Sequence, residues 1–512
     1  MATTLIRGRQ IVCKVEDRHS AVIVDDGAIV QTDGVVEAIG PYPELRREYA
    51  SVRELGSANH VVLPGFVNSH HHVGLTPLQL GSPDYALELW FASRLSARRV
   101  DLYLDTLYSA FEMIESGITT VQHLHGWIPG GLETVRNAAG DVLRAYDDIG
   151  MRVSYSFALR DQNRLVYEPD EDFVRRLPDA LQPTMREHFA AVSLTLDEQL
   201  ELFRDLHATH QQASRRKIQL APANLHWCTD GALEALQQHS QDHGVPMHMH
   251  LLETAYQKEY ARRRTGTTAV SHLHEVGLLG PHLTLGHGVW LTERDIDLVA
   301  ETGTRICHNC SSNLRLRSGV AALNEYAKRG VRVGIGLDEA GINDDRDMIQ
   351  EMRMVLRMHR VPGMDDDVPT CPQVLQMATE HGAQTTPFGD HIGTLEPGRS
   401  ADMVLVDWRQ LAYPYLDQDI PVVDAVVQRA KSRGVDAVII EGEVVYENGT
   451  FTRVSKEDIL AQLAESLDRP DTAEEARRRE FSQQVFPHVK QFYAGYLDAE
   501  RRTPFYGSSS RT

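Results

Sequence analysis

The middle of the chain, residues 64–390, alternates short apolar segments with longer stretches of helical periodicity. Eight of the apolar segments have the length and composition of strands, at residues 66–70, 119–123, 152–156, 217–223, 246–251, 283–287, 305–308 and 331–337. Strands that alternate with helices are typical of βα units and a parallel sheet. Eight such units predict an α/β fold of the (β/α)8 TIM-barrel type, which places its chemistry at the carboxyl ends of the strands.

The two ends of the chain have a different pattern, in which short strands are separated by turns. Asp-Gly pairs at 26–27 and 33–34 lie between apolar runs and indicate hairpins, and similar runs return after residue 391. We therefore expect residues 1–63 and 391–452 to form one small composite β-sandwich domain beside a barrel at 64–390. Residues 453–512 are helical in pattern and rich in charge, which predicts a helical C-terminal extension.

The composition restricts the partners of the chain. Of 512 residues, 52 are Lys or Arg and 72 are Asp or Glu, which gives a formal net charge of −20. This acidity disfavours nucleic acid and anionic membrane surfaces, because both require basic patches, and no apolar run is long enough to span a bilayer. The five cysteines are scattered, which argues against a disulfide framework. We expect a cytoplasmic protein that acts on a small molecule.

Ionisable side chains stand at the ends of four of the eight predicted strands. His70 and His72 follow the first strand with a spacing of two residues, so both point to one face. His250 and His287 end the fifth and sixth strands, and Asp338 follows the eighth. Because the carboxyl ends of barrel strands meet at one mouth, these side chains should lie together. Histidine with carboxylate favours a divalent transition metal.

Five motifs stand out: PGFVNSHHH at 64–72, HMHLLET at 248–254, LGHGVW at 285–290, HNCSSNLRL at 308–316 and GTLEPGRSAD at 393–402. They resemble the motifs of the amidohydrolase superfamily, and within it the branch of cytosine deaminase, S-adenosylhomocysteine deaminase and triazine hydrolase. In the fourth motif, Cys310 stands where the family usually has proline. The resemblance covers about residues 5–450 and implies a metal-dependent barrel hydrolase.

The resemblance also implies roles for individual residues. It implies four ligands for one divalent metal ion, zinc first and iron as the alternative: His70, His72, His250 and Asp338. It implies three catalytic groups: Glu253, His287 and Asp338. Dinuclear relatives carry a bridging lysine at the end of the fourth strand, where this chain has none, so a single ion is expected.

The implied reaction is hydrolysis at an sp2 carbon bonded to nitrogen, by water that the metal ion activates. Deamination of a nitrogen heterocycle or an amidine-like small molecule is the favoured form. Hydrolysis of a cyclic amide, or displacement of a chloro, alkylamino or thio substituent from a heteroaromatic ring, stays open as an alternative. A non-catalytic scaffold is the remote alternative, because such relatives lose metal ligands that this chain keeps. Relatives usually form dimers or larger assemblies, which implies a homo-oligomer.

The chain departs from the family pattern at two places, and at the first of these the relatives contact their substrates. Relatives usually have histidine after the proline that ends the fourth strand, whereas here Ala223 follows Pro222. Asn224 and His226 are therefore candidate substrate contacts, although either can equally cap the next helix. Glu339 stands where the family usually has glycine. If it points into the pocket rather than outward, its carboxylate favours a cationic or amino-bearing substrate.

Two further side chains are candidates for the wall of the pocket. His125 follows the second strand, and Trp90 lies after the first strand, where it resembles a pocket-wall tryptophan of the family. A place in the core is the alternative for Trp90. For His125, a second metal site with His123 is the disfavoured alternative.

Overall fold

The computed structural model describes residues 3–364 and 366–497, which form seventeen strands and twenty α-helices. The strands are β1 (Thr3–Val15), β2 (Ala21–Thr32), β3 (Val35–Pro41), β4 (Arg53–Pro64), β5 (Phe66–His71), β6 (Ile118–His125), β7 (Arg152–Leu159), β8 (Arg216–Ile218), β9 (Ala221–Pro222), β10 (Met247–Leu251), β11 (Leu283–His287), β12 (Arg305–His308), β13 (Val333–Ile335), β14 (Met403–Asp407), β15 (Val435–Ile440), β16 (Glu443–Glu447) and β17 (Thr450–Phe451).

Helices separate most strands of the middle region, singly or in groups of two or three, and continue through the C-terminal part. They are α1 (Tyr42–Glu48), α2 (Leu87–Arg94), α3 (Leu102–Glu115), α4 (Leu132–Ile149), α5 (Asp170–Arg176), α6 (Gln182–Ala191), α7 (Leu196–His210), α8 (Asp230–His243), α9 (Ala255–Thr265), α10 (Ala269–Glu275), α11 (Glu293–Thr302), α12 (Cys310–Arg315), α13 (Leu323–Lys328), α14 (Met348–Met358), α15 (Cys371–Ala378), α16 (Glu380–Gln384), α17 (Trp408–Ala412), α18 (Val422–Arg429), α19 (Lys456–Leu467) and α20 (Ala473–Tyr493). None of these described helices is both long and apolar enough to cross a bilayer.

Strands β5 to β13 build a closed parallel barrel. β5, β6, β7 and β8 pair in that order, with β9 beside β7, and β10 to β13 pair in chain order. The two groups meet through parallel bridges between Leu220 and Met247 and between His71 and Asp338. The closed ring is the (β/α)8 architecture that the sequence predicts. The predicted fourth strand is split into β8 and β9. Between them, the amide of Leu220 donates a hydrogen bond to the carbonyl of Pro246, which immediately precedes β10.

Strands from both ends of the chain share one sheet of eight strands. Its order is β17-β16-β15-β14-β4-β1-β2-β3, so that β14 joins the C-terminal strands to β4. Ile29 on β2 and Ile439 on β15 belong to one buried apolar cluster, and the carbonyl of Gly34 accepts a hydrogen bond of 2.7 Å from the amide of Ala401. The composite domain is thus one continuous sheet whose two halves enclose a shared core.

The last described helix, α20, packs against elements that follow the first and third barrel strands. Val485 and Val489 of α20 are fully buried in an apolar cluster with Phe173 of α5 and Met185 of α6. The hydroxyl of Ser482 donates to the carbonyl of Ala92 in α2 at 2.8 Å. The C-terminal extension therefore braces α2 beside the mouth of the barrel. Residues 498–512 of the predicted extension lie outside the described residues.

Candidate metal centre and active site

Four side chains from the first, fifth and eighth barrel positions converge at the mouth, and we call His70, His72, His250 and Asp338 the mouth cluster. Nε2 of His72 lies 3.0 Å from Nε2 of His70 and 3.2 Å from Nε2 of His250. Oδ1 of Asp338 lies 3.2 Å from Nε2 of His72 and 3.6 Å from Nε2 of His70. Tetrahedral coordination with bonds of about 2.0–2.1 Å separates ligand atoms by about 3.4 Å. Three imidazole nitrogens within 4.8 Å of one another, with the Asp338 carboxylate close to two of them, therefore form an arrangement suited to one metal ion.

Two histidines of the mouth cluster are oriented by backbone carbonyls. Nδ1 of His72 donates to the carbonyl of Leu124 at 2.6 Å, and Nδ1 of His250 donates to the carbonyl of Ala223 at 2.7 Å. Burial lowers the pKa of His250 well below its ordinary value. A proton fixed on Nδ1 leaves Nε2 with a free lone pair, so each ring presents its metal-binding nitrogen to the shared point.

The third histidine, His70, is oriented by another imidazole. Nδ1 of His70 lies 2.7 Å from Nε2 of His248. His248 precedes His250 by two residues on β10. Burial lowers the pKa of both His70 and His248, so both rings are neutral and one hydrogen bond joins them. With His70 as the donor, its Nε2 is free for a metal ion in the same way as in the other two ligands.

Asp338 occupies a strained backbone position immediately after β13. Its φ is +56°, in the left-handed region, which costs a non-glycine residue about 1–3 kcal/mol. Its amide donates to the carbonyl of His70 at 2.8 Å, and the hydroxyl of Ser312 donates to Oδ2 at 2.5 Å. Burial is the largest influence and opposes ionisation, but the hydrogen bonds with His72 and Ser312 and the nearby His287 ring together outweigh it and hold the pKa of Asp338 below its ordinary value. The carboxylate is therefore charged and fixed in direction.

Glu253 and His287 lie side by side next to the mouth cluster. Oε2 of Glu253 is 3.7 Å from Nε2 of His287. Ser318 donates to Oε1 of Glu253 at 3.0 Å, and Nδ1 of His287 donates to Oδ1 of Asn313 at 2.9 Å. Burial raises the pKa of Glu253 well above its ordinary value, and the charge of Asp338 adds to this shift. Burial lowers the pKa of His287. The pair is thus a protonated carboxyl beside a neutral imidazole.

Asn224 and His226 are buried with polar atoms that no described residue satisfies. Both polar side-chain atoms of Asn224 and both ring nitrogens of His226 lack a hydrogen-bond partner. The ring of His226 lies between those of Tyr167 and Trp227, with centroid distances of 4.2 Å to each. An unsatisfied buried polar group costs about 1–3 kcal/mol, so these groups are suited to a partner from outside the chain. Neither side chain serves as a helix cap, since Thr229 caps α8.

Glu339 turns inward rather than outward. Its Oε1 accepts a hydrogen bond of 2.9 Å from Arg94, and its Oε2 is buried without a partner among the described residues. The guanidinium of Arg94 lies 4.5 Å from the centroid of the buried Trp90 ring. The Glu339 carboxylate is also within 4.8 Å of the ligand atoms of His72 and Asp338. A carboxylate half-paired with arginine therefore stands at the edge of the mouth cluster, with Trp90 supporting the arginine.

His125 is held in the wall of the barrel. Its Nδ1 lies 2.7 Å from the hydroxyl of Tyr155, and burial lowers its pKa to about 4. The neighbouring His123 bonds instead to the hydroxyl of Tyr146 at 2.9 Å. The two rings thus have separate tyrosine partners, and among the described residues they are in none of the groups with metal-binding geometry.

Four supporting residues were not singled out by the sequence analysis: His248, Ser312, Asn313 and Ser318. His248 precedes His250 by two residues, and this spacing on a strand was the available signal that both rings face inward. Ser312 and Asn313 belong to the HNCSSNLRL motif, but the motif does not tell which catalytic group each contacts. Ser318 lies in a loop, where periodicity gives no direction.

This chain is a (β/α)8 barrel with histidine and carboxylate side chains at its mouth and a composite β-domain. These features together are typical of metal-dependent barrel hydrolases. A profile of the amidohydrolase family matches residues 61–445. This chain belongs to the amidohydrolase family, as its motifs predict, and is a hydrolase of carbon–nitrogen bonds other than peptide bonds.

Curated relatives narrow the resemblance to one branch. The 5-methylthioadenosine/S-adenosylhomocysteine deaminase of Syntrophobacter fumaroxidans is 30% identical over 444 residues, which are 86% of this chain and 92% of the relative. The protein of the same name from Nitratidesulfovibrio vulgaris (strain DSM 19637 / Miyazaki F) is 29% identical over 459 residues, 89% of this chain and 95% of the relative. The predicted branch, which includes S-adenosylhomocysteine deaminase, is confirmed.

Solved structures confirm the fold. An adenosine deaminase from Xanthomonas campestris with bound zinc aligns with a TM-score of 0.77 at 23% identity, over 91% of this chain and 98% of that protein. An atrazine chlorohydrolase from Arthrobacter aurescens TC1 complexed with zinc aligns with a TM-score of 0.75 at 19% identity, over 90% and 99%.

Proposed function

We propose that this chain is a metal-dependent aminohydrolase that removes an exocyclic amino group from a nitrogen heterocycle. The observation that carries the proposal is the convergence of three Nε2 atoms and one carboxylate oxygen in the mouth cluster, beside a protonated Glu253. The names of the relatives support deamination as the reaction. The domain boundaries at 63, 390 and 452, the cytoplasmic location and the homo-oligomer stay predictions.

The proposed ligands of the ion are the mouth cluster itself. The three imidazole nitrogens lie within 4.8 Å of one another and the Asp338 carboxylate lies within 3.6 Å of two of them, which supports a single ion, and three imidazoles with one carboxylate suit zinc, with iron as the alternative. A divalent ion bound there supplies a Lewis acid that brings the pKa of a coordinated water toward about 7.

The protein side chains move the protons of the reaction. Asp338 takes a proton from the attacking water, and Glu253 gives its proton to the ring nitrogen next to the reacting carbon. His287, fixed by Asn313, points its Nε2 at the same region and holds the oxygen that adds to that carbon. The carbon–oxygen bond forms and the carbon–nitrogen bond then breaks. The amino group leaves as ammonia with the proton from Asp338, and the hydroxyl proton returns to Glu253.

The substrate pocket we propose is lined by Asn224, His226 and Glu339, with Trp90 and His125 in its wall. The unpartnered atoms of Asn224 and His226 support hydrogen bonding to a ligand, and the free oxygen of Glu339 supports an amino-bearing one. His125 and Trp90 support the pocket mainly by packing, since each contacts protein groups.

The test is ammonia release from the purified, metal-replete full-length chain. The panel begins with 5-methylthioadenosine, S-adenosylhomocysteine and adenosine and extends to aminopyrimidines, pterins, triazines and guanidino compounds. Asp338→Asn keeps the size of the side chain and removes its charge, so we expect turnover to fall by about 10³-fold or more while the fold is retained.

Each other outcome points away from deamination. Release of chloride, an alkylamine or a thiol, or opening of a cyclic amide, would identify the alternative hydrolases. Silence across the panel in protein that holds metal contradicts the deaminase. Silence together with no bound metal supports the scaffold.

A further inference from the structure

A second group of metal-binding side chains lies outside the mouth, in the layer between β12 and α14. His308 ends β12, Cys310 begins α12, and His359 follows the last residue of α14. Nε2 of His308 lies 2.9 Å from Nε2 of His359, and the Cys310 sulfur lies within 4.8 Å of the ligand atoms of both rings. All three side chains are buried. We call these three residues the second cluster.

We propose that the second cluster, His308, Cys310 and His359, is a separate binding site for a zinc-type transition-metal ion. Two imidazoles and one thiolate are ligands that zinc prefers in proteins, with bonds of about 2.0–2.1 Å to nitrogen and about 2.3 Å to sulfur. These bonds separate neighbouring ligand atoms by about 3.3–3.7 Å. The Nε2 atoms of the two rings are 2.9 Å apart and all three ligand atoms lie within 4.8 Å of one another, so ion binding requires the side chains to adjust into this range.

Hydrogen bonding between the rings accounts for only part of this arrangement. The contact between His308 and His359 uses one nitrogen of each ring, and Nδ1 of His308 stays buried without a partner among the described residues. Burial lowers the pKa of His308 and takes that of His359 to about 4, so both rings are in the neutral form that binds metals.

The cysteine of the second cluster is a departure of this chain from the family motif. Cys310 occupies the position at which the family usually has proline, so its sulfur is not part of the chemistry that the motif serves. When an ion binds, the thiol proton leaves to solvent and the Cys310 sulfur forms the bond to the metal. His359 also lines an open cavity of about 680 Å³, and we take this cavity as the entry route for an ion and for a water molecule at the fourth coordination position.

The place of the second cluster in the fold gives it a structural role. An ion there ties the start of α12 to the end of α14. The same short helix presents Ser312 to Asp338 and Asn313 to His287. A metal ion at the second cluster therefore fixes the helix that positions two catalytic groups, although it does not touch the substrate. The proposal does not depend on which reaction the mouth cluster performs.

Sulfur ligation provides a readout that separates the two sites. The mouth cluster offers only nitrogen and oxygen, so a thiolate-to-cobalt charge-transfer absorption in the Co²⁺-loaded full-length chain reports sulfur alone. We expect about two ions per chain by elemental analysis, together with this absorption. Cys310→Ser should remove the absorption and about one ion. His359→Gln keeps the thiol and should also lose about one ion, which keeps the test valid if the first variant does not fold.

The matched control is Cys307→Ser. Cys307 is the other thiol within 4.8 Å of two histidines, His70 and His248, and the absorption should persist in this variant. Loss of the absorption in Cys307→Ser with retention in Cys310→Ser overturns the proposal. One ion per chain with no thiolate absorption in the unaltered protein overturns it as well.

Discussion

At the scale of single residues, His248 differs from the backbone carbonyls that orient His72 and His250 because it is a side chain and can be replaced. We expect His248→Ala to weaken metal binding at the mouth by about 10–100-fold, since His70 loses the partner of its Nδ1 at 2.7 Å. The affinity is measured by competition with a chelator, in a Cys310→Ser background so that one site contributes. His248→Gln, which offers an acceptor at a similar reach, should bind more tightly than His248→Ala. Equal affinities in all three proteins would show that His248 does not orient the ligand.

Glu339 and Arg94 give a prediction about substrate charge. Glu339→Gln removes the carboxylate whose Oε2 is unpartnered, so kcat/KM should fall by about 10-fold for S-adenosylhomocysteine, which carries an amino group. The value for 5-methylthioadenosine, which lacks the aliphatic α-amino group that S-adenosylhomocysteine carries in its amino-acid portion, should change much less. Arg94→Gln removes the cation that pairs with Glu339 at 2.9 Å and should act in the opposite direction. The two substrates are compared by ammonia release, and a parallel loss for both would exclude a charge effect.

The orientation of the Glu339 side chain could not be predicted from the sequence, whereas the positions of the metal ligands could. The ends of β5, β10 and β13 were predictable, because strand periodicity and barrel geometry together place His70, His250 and Asp338 at one mouth. Whether Glu339 points inward depends on Arg94, which is distant in the chain and reaches it only in the folded state. Cys310 and His359 are separated in the same way, and no local pattern connects them.

At the scale of elements, α20 braces α2, which carries Trp90 and Arg94. Val489→Ala removes two buried methyl groups from this contact and should weaken the docking of α20 by about 2 kcal/mol. We expect faster cleavage of the C-terminal extension by limited proteolysis and a higher KM. The change in kcat should be smaller, because α2 contributes to the proposed pocket wall and none of its residues transfers a proton in the proposed reaction. Lys490→Ala, at the exposed neighbouring position, is the control. Unchanged proteolysis in Val489→Ala would mean that α20 is held by other contacts.

At the scale of the whole molecule, the mouth cluster joins two groups of barrel strands that are connected by isolated bridges instead of continuous ladders. These bridges are Leu220–Met247 and His71–Asp338, a further backbone hydrogen bond of 3.3 Å runs from His250 to Ala223, and the proposed ion joins β5 and β10 to the residue after β13. Removal of the metal should therefore lower the temperature of unfolding. At a free metal concentration of 1,000 times Kd the expected stabilisation is about 4 kcal/mol.

The measurement is a thermal melt of the chelated protein before and after reloading. Zinc should restore the midpoint and magnesium should not, because imidazole ligands favour zinc whereas magnesium requires oxygen ligands. A midpoint that is indifferent to chelation and to zinc would show that the mouth cluster does not hold the barrel closed.

The composite β-domain was predictable from the pattern of short strands at both ends of the chain. Its construction as a single sheet was not predictable. Hairpins such as β1–β2 are local and follow from Asp-Gly turns. The pairing of β14 with β4, which sets Met403 opposite Pro64, joins segments that the entire barrel separates, and strand patterning carries no information about such a register.

That pairing has a consequence for synthesis. The nascent chain makes β4 early, with β1 on one side of it, and the opposite edge of β4 has no neighbour until β14 leaves the ribosome. The barrel is thus translated while attached to a half-built sheet. An unpaired edge is a template for strands of other chains, so translation products that stop before residue 403 should collect in inclusion bodies even when their barrel segments are intact.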